Sequence, residues 1–184
     1  MWNPLWLPAS PGEGLLNVVV ESPAGATTKI KWDPGLGAFS LSRPLPLGMA
    51  YPHDWGFVPS TRAADGDPVD ALILSEGTTF PGLVVACRPI GVVRLEQNRK
   101  QRDGRERNDR IIAVAASARR HPLRSADELG ARYRDEVAQF FVSAVFFEDK
   151  APALLGWGDV DEAWQLVRGS AVAKGDEPTG GATE

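Results

Sequence analysis

At 184 residues with 43% hydrophobic content the chain can bury one sizeable core, so a single folded domain is expected and disorder of its bulk is excluded. A formal net charge of −4 argues against a general nucleic-acid binder that works by neutralising backbone phosphates. The only cysteine, Cys87, sits in the apolar run Leu83-Val84-Val85-Ala86-Cys87 as a small filler; no disulfide can form within the chain, and a reducing compartment fits.

The segment Met1 to Pro8 is apolar but lacks a basic stretch and is interrupted by prolines, which supports neither a signal peptide nor a membrane span; a cytoplasmic protein is expected. Residues 1–14 read as an N-terminal extension, 15–169 as one domain and 170–184, small and polar, as a disordered tail. From Leu16 to Glu21, Thr28 to Asp33 and Gly37 to Arg43, short β-rich runs separated by Gly/Pro punctuation predict an antiparallel meander. A loop rich in Pro, Gly and aromatics, Pro44 to Pro59, leads to an apolar strand, Val69 to Leu74. Leu83 to Leu95 reads as one long strand bent at Pro89 and Gly91, followed by a charged hairpin and a returning strand, Ile111 to Ala115.

Helical spacing begins late. Ser125-Ala126-Asp127-Glu128 is a capping box, after which Leu129, Tyr133, Val137, Phe140, Phe141 and Ala144 recur at three- and four-residue intervals. A second helix is expected from Asp159 to Arg168, with Ala163, Leu166 and Val167 as its stripe and Gly169 as its stop. Many short strands followed by two helices predict a mainly β fold with α, a barrel with helices on its outside.

The chemistry concentrates in Asp65-Gly66-Asp67-Pro68-Val69-Asp70. A solvated turn would explain the first four residues, since Asp, Gly and Pro form turns for local reasons. Asp70 weighs against that, because it lies inside an apolar strand, where an unpartnered carboxylate costs several kcal/mol. Acids this crowded need a shared positive charge, and Mg²⁺ takes one or two carboxylates while leaving its other positions to water and phosphate. A calcium loop starting at Asp65 fails, because Asp70 stands where glycine is needed and Ala71 to Leu74 would have to leave their strand.

The six-residue cluster resembles the signature of the soluble family I inorganic pyrophosphatases, and the similarity runs from about Leu16 to Arg168. It extends through Val20-Glu21-Ser22-Pro23, Lys29, Phe39 to Arg43, Tyr51-Pro52-His53-Asp54-Trp55-Gly56 and Cys87-Arg88-Pro89-Ile90-Gly91-Val92, in order. The resemblance implies a five-stranded OB-type β-barrel with two flanking helices, a homo-oligomer that in bacteria is usually a hexamer, and Mg²⁺-dependent hydrolysis of pyrophosphate, with Mn²⁺ as a possible substitute. It further implies that Asp65 and Asp70 hold metal, with Glu21 as an outer ligand; that Asp67 orients the attacking water and takes its proton; and that Lys29, Arg43 and Tyr51 bind near the phosphates.

Several positions depart from the family pattern. Lys31 stands where a glutamate is common, Trp55 replaces a phosphate-binding tyrosine, and Ala144-Val145 occupy the place of a Tyr-Lys pair, changes expected to weaken substrate binding. Aligned on Ile111 to Val114, Arg110 falls at a family lysine and Asn108 at a metal-binding aspartate, with Asp109 as a substitute if the strand start is bulged and Glu96 or Asp103 open for an earlier acid. These losses leave a second reading, a non-catalytic member that binds metal and phosphate compounds or serves as an oligomeric interaction module. A nucleic-acid reading of the basic hairpin, Arg99 to Arg107, ranks lowest, because Asp103 and Glu106 intervene and no aromatic is interleaved. His53 and His121 are too far apart in sequence to suggest a zinc site.

Overall fold

The computed structural model describes residues 2–99, 103–119 and 122–172. Its strands are β1 (Leu16–Ser22), β2 (Thr28–Asp33), β3 (Ala38–Pro44), β4 (Asp54–Val58), β5 (Val69–Leu74), β6 (Val84–Asn98), β7 (Arg105–Arg107), β8 (Arg110–Ala115) and β9 (Ala153–Gly158). Two helices follow the main strands, α1 (Ala131–Ser143) and α2 (Val160–Gly169). The sheet runs β1-β4-β5-β8-β6, and a β1–β6 pairing closes it into a ring of five strands, the OB-type barrel that the resemblance implies. Closure leaves the ring without a free edge.

Side chains alternate across each strand, so the ring has an inner and an outer apolar face. Leu16, Val18, Val20, Val58, Val69, Ala71, Ile73, Val92, Ile111 and Ala113 come from all five strands and fill the interior, which Ala163 and Val167 of α2 join. Cys87 is fully buried among them, as a filler should be. Leu72, Leu74, Ile90, Val93, Ile112 and Val114 face outward against Val137, Ala138 and Phe141 of α1. Asp70 shares the outward parity of Leu72 and Leu74, which aims the acid cluster at the outer face.

The structure corrects the sequence reading in four places. β2 and β3 form a separate two-stranded sheet and do not extend a meander from β1. Side chains of β1 hold β2 instead: Ile30 N donates to Ser22 Oγ at 2.9 Å and Trp32 N donates to Glu21 Oε1 at 3.0 Å. The end of the Pro44–Pro59 loop is a strand, β4, and β9 pairs with β6 where no strand was expected. The capping box at Ser125 closes only a 3-10 turn, Ala126–Glu128, and α1 starts afresh after Gly130, so Leu129 caps the turn rather than opening the helix. The bend of β6 is where Pro89 and Gly91 place it, as a register shift against β8. Of the expected tail, residues 170–172 are described and run beside Ser60–Arg62, while 173–184 lie outside the described residues.

Candidate active site

The turn from Asp65 delivers its carboxylates to a junction between β2, β5 and β8. Gly66 takes φ 86°, a left-handed conformation that lets the chain reverse, and Asp67 N donates to Asp65 Oδ1 at 3.2 Å to fix the turn. Each acid meets a different protein partner. Lys31 Nζ lies 3.2 Å from Asp67 Oδ2, Arg110 Nη1 lies 2.6 Å from Asp70 Oδ2, and Asn108 Nδ2 donates to Asp65 Oδ2 at 3.0 Å. Arg110 also donates to Asn108 Oδ1, so the partners form one network.

The approach to β8 decides which hairpin residues arrive. Asn108, two residues before the strand, and Arg110, its first residue, reach the acids, whereas Asp109 accepts from Leu95 N at 3.0 Å and pairs with Arg107 at 2.7 Å. Glu96 pairs with Arg105 at 3.1 Å and Asp103 is exposed. Of the four candidates left open by the sequence, it is Asn108 that stands beside Asp65.

Next to the acids is a cleft whose wall carries Lys29, Arg43, Arg110, Lys150, Tyr51 and Trp55. Lys29 and Arg43 are directly opposite each other across the β2–β3 pair. Like charges in that position repel, so the hairpin holds a standing demand for an anion. Glu148 answers it from within the chain, ion-paired to Arg43 and 3.3 Å from Lys150. Ala144 and Val145 do line the cleft, as expected from the missing Tyr-Lys pair. Lys150, from the segment beyond α1, restores a cation that the sequence reading missed. Trp55 carries the Arg110 guanidinium over its ring at 5.4 Å, and its buried Nε1 has no hydrogen-bond partner.

Burial and crowding set the charges. Glu21, 5% exposed, has its carboxyl pushed up to about 7, chiefly by desolvation and with Asp70 adding to it, against the Trp32 N–H and the two lysines. Lys29 is pushed down to about 8 by burial, with Lys31 and Lys150 adding and Asp70 and Glu21 opposing. Asp65 is raised by burial and then by Asp70 and Asp67, and Tyr51 is raised mainly by burial, so its phenol stays a hydrogen-bond donor. Glu21 yields a prediction. Its folded-state pKa lies above the ordinary 4.5, so its stabilising contribution is complete below about pH 4.5 and is lost as pH rises through about 7. In metal-free protein the melting temperature of Glu21→Gln is expected to gain on that of the unsubstituted chain across this window, read by calorimetry in chelator; a constant difference contradicts it.

The profile of the family described as inorganic pyrophosphatase matches residues 18–173. The chain belongs to that family. An inorganic pyrophosphatase of Synechocystis sp. is 40% identical over 162 residues, covering 88% of this chain and 92% of the relative. One from Thermus thermophilus is 34% identical over 158 residues, covering 84% and 87%. A crystal structure of inorganic pyrophosphatase from Thermus thermophilus matches with a TM-score of 0.83 at 32% identity, over 92% of this chain and 97% of that one. The stretch that matches the inorganic pyrophosphatase family holds the acid turn, the Lys29–Arg43 pair, and Lys31 and Asn108 beside the acids.

The donors fit a hard divalent cation. Asp65, Asp70 and Glu21 offer carboxylate oxygens, the ligand type such an ion prefers. Among the described residues no three His, Cys, Asp or Glu side chains converge tightly enough to cage an ion.

Proposed function

We propose that this chain hydrolyses inorganic pyrophosphate to two orthophosphates, using Mg²⁺, or Mn²⁺ in its place, within one catalytic domain over residues 15–169. The observation that carries the reading is the adjacency of an acid cluster and a cleft walled by Lys29, Arg43, Arg110 and Lys150. Arg110 touches both, bonded to Asp70 on one side and lining the cleft on the other.

Asp65 and Asp70 are the carboxylates we assign to metal, with Glu21 behind them. When bound, divalent cations supply positive charge to the phosphoryl oxygens and make water easier to deprotonate. The protein's own groups do the rest. Lys29 and Arg43 draw in one phosphate and displace Glu148 from Arg43, while Lys150 and Arg110 face the remainder of the cleft. The Tyr51 hydroxyl stands as a further donor, and the Trp55 ring lines the cleft where the resemblance places a tyrosine. Asp67 holds the attacking water and accepts its proton as the new P–O bond forms and the bridging P–O bond breaks, the leaving phosphate keeping the bonding pair. A binding-only role is not favoured, because the acids and cations needed for turnover remain side by side.

Purified protein should release two phosphates per pyrophosphate when Mg²⁺ or Mn²⁺ is added, in a colorimetric phosphate assay. No release with either ion defeats the proposal. We also assign a homohexamer in the cytoplasm, supported by exposed apolar side chains on one chain, among them Leu36, Leu41, Leu47, Phe146 and Phe147. Light scattering tests the assembly, and a monomeric mass rejects it. No helix among the described residues is long and apolar enough to cross a membrane.

A further inference from the structure

Lys31 enters the acid cluster from β2, two residues from Lys29 and so on the same face of the strand. Its Nζ is 3.2 Å from Asp67 Oδ2, with the two side chains 35% and 23% exposed, a half-buried ion pair rather than a surface one. Burial pulls the ammonium downward, but Asp67, Glu21 and Asp70 outweigh it and raise the lysine above its ordinary value. A permanent positive charge therefore stands in the middle of the acids.

Its place among the acids shows what that does. Four carboxyl groups, those of Glu21, Asp65, Asp67 and Asp70, crowd together and face Lys29, Lys31 and Arg110. Without Lys31 only Lys29 and Arg110 would face the four acids, and an added cation would meet more uncompensated negative charge. Arg110 pairs with Asp70 and Asn108 holds Asp65, while Lys31 forms an ion pair with Asp67.

We propose that Lys31 is a resident counter-ion: it positions Asp67 and neutralises the cluster where an added metal ion would otherwise be required, so that the substrate-free protein holds divalent cations more weakly than the cluster alone would. The inference rests on the assignment of Asp65, Asp67 and Asp70 as the metal-binding and proton-accepting acids. Lys31 is a positioning residue, reaching the reaction through Asp67.

The test is Mn²⁺ binding to substrate-free protein, by titration calorimetry and by the electron paramagnetic resonance signal of free Mn²⁺. Lys31→Met should tighten Mn²⁺ binding about tenfold or expose an additional site, since it removes one positive charge a few ångströms from the ions. Lys31→Arg, which keeps the charge, should bind like the unsubstituted protein. Should the Met variant not fold, Lys31→Gln retains a donor for Asp67 without the charge and should show the same tightening. Equal affinity and stoichiometry in the charged and uncharged variants overturns the inference, as does weaker binding without the charge. Pyrophosphate hydrolysis by the unsubstituted protein is measured in parallel, so that a wrong activity and a wrong role for Lys31 give different results.

Discussion

Asp67→Asn is expected to lower pyrophosphate turnover by about 10²–10⁴-fold, the range for loss of a positioned general base, while the protein keeps its fold. Asparagine has almost the same shape, and its amide oxygen can still accept from Lys31, which lies 3.2 Å from Asp67 Oδ2. The turn also survives, because its fixing hydrogen bond uses the Asp67 backbone N–H and the Asp65 carboxylate. What disappears is a group able to take a proton. The loss should therefore fall on kcat, with KM little changed, since the phosphate-facing cations Lys29, Arg43 and Lys150 are untouched. Kinetics paired with circular dichroism would measure both, and undiminished turnover would place the base elsewhere.

How much of this was legible in the residues depended on distance along the chain. Asp65 to Asp70 could be read because a turn and the start of a strand are local events, signalled by Gly66, Pro68 and the apolar run that follows. The second helix was legible for the same reason, its stripe and its Asp159 cap lying within one short segment. Strand β4 was hidden because all five of its residues are buried, so no alternation marks it among the surrounding prolines. Strand β9 includes Gly156 and Gly158, residues that normally signal turns. The meander was misjudged because Ser22 and Glu21 supply side-chain acceptors to β2 in place of a backbone ladder, a substitution that no propensity records. The pairings that define the site are longer-ranged still. Glu148 and Lys150 carry no local motif, and only the path of the chain beyond α1 brings them to Arg43. Likewise the choice of Asn108 over Asp109 turned on how the chain approaches β8, which a hairpin of uncertain register does not disclose.

Gly56→Ala should abolish the folded state or lower its stability by about 3 kcal/mol or more, at the upper end of what overpacking costs. Gly56 sits in the middle of β4, opposite Val20 of β1 and Ala71 of β5, with strands bonded on both sides. A Cβ there would lie 2.0 Å from the Val19 carbonyl oxygen, 2.8 Å from its carbon and 3.0 Å from Val20 Cα. All three are backbone atoms, so no rotamer change can make room; β1 and β4 must separate. Their pairing is one of the joints that close the ring, and opening it exposes the interior formed by Val18, Val20 and Val58. A loss of about 3 kcal/mol corresponds to a fall in melting temperature of about 6–12 °C for a chain this size. Gly130→Ala is the matching control: nothing lies within 4 Å of its added Cβ, and its melting temperature should move little. If Gly56→Ala melts with that control, β1 and β4 do not approach as closely as the barrel requires. Activity should fail together with the fold, because Trp55 beside Gly56 lines the cleft, and a displaced β4 would carry it away from Arg110 and Tyr51.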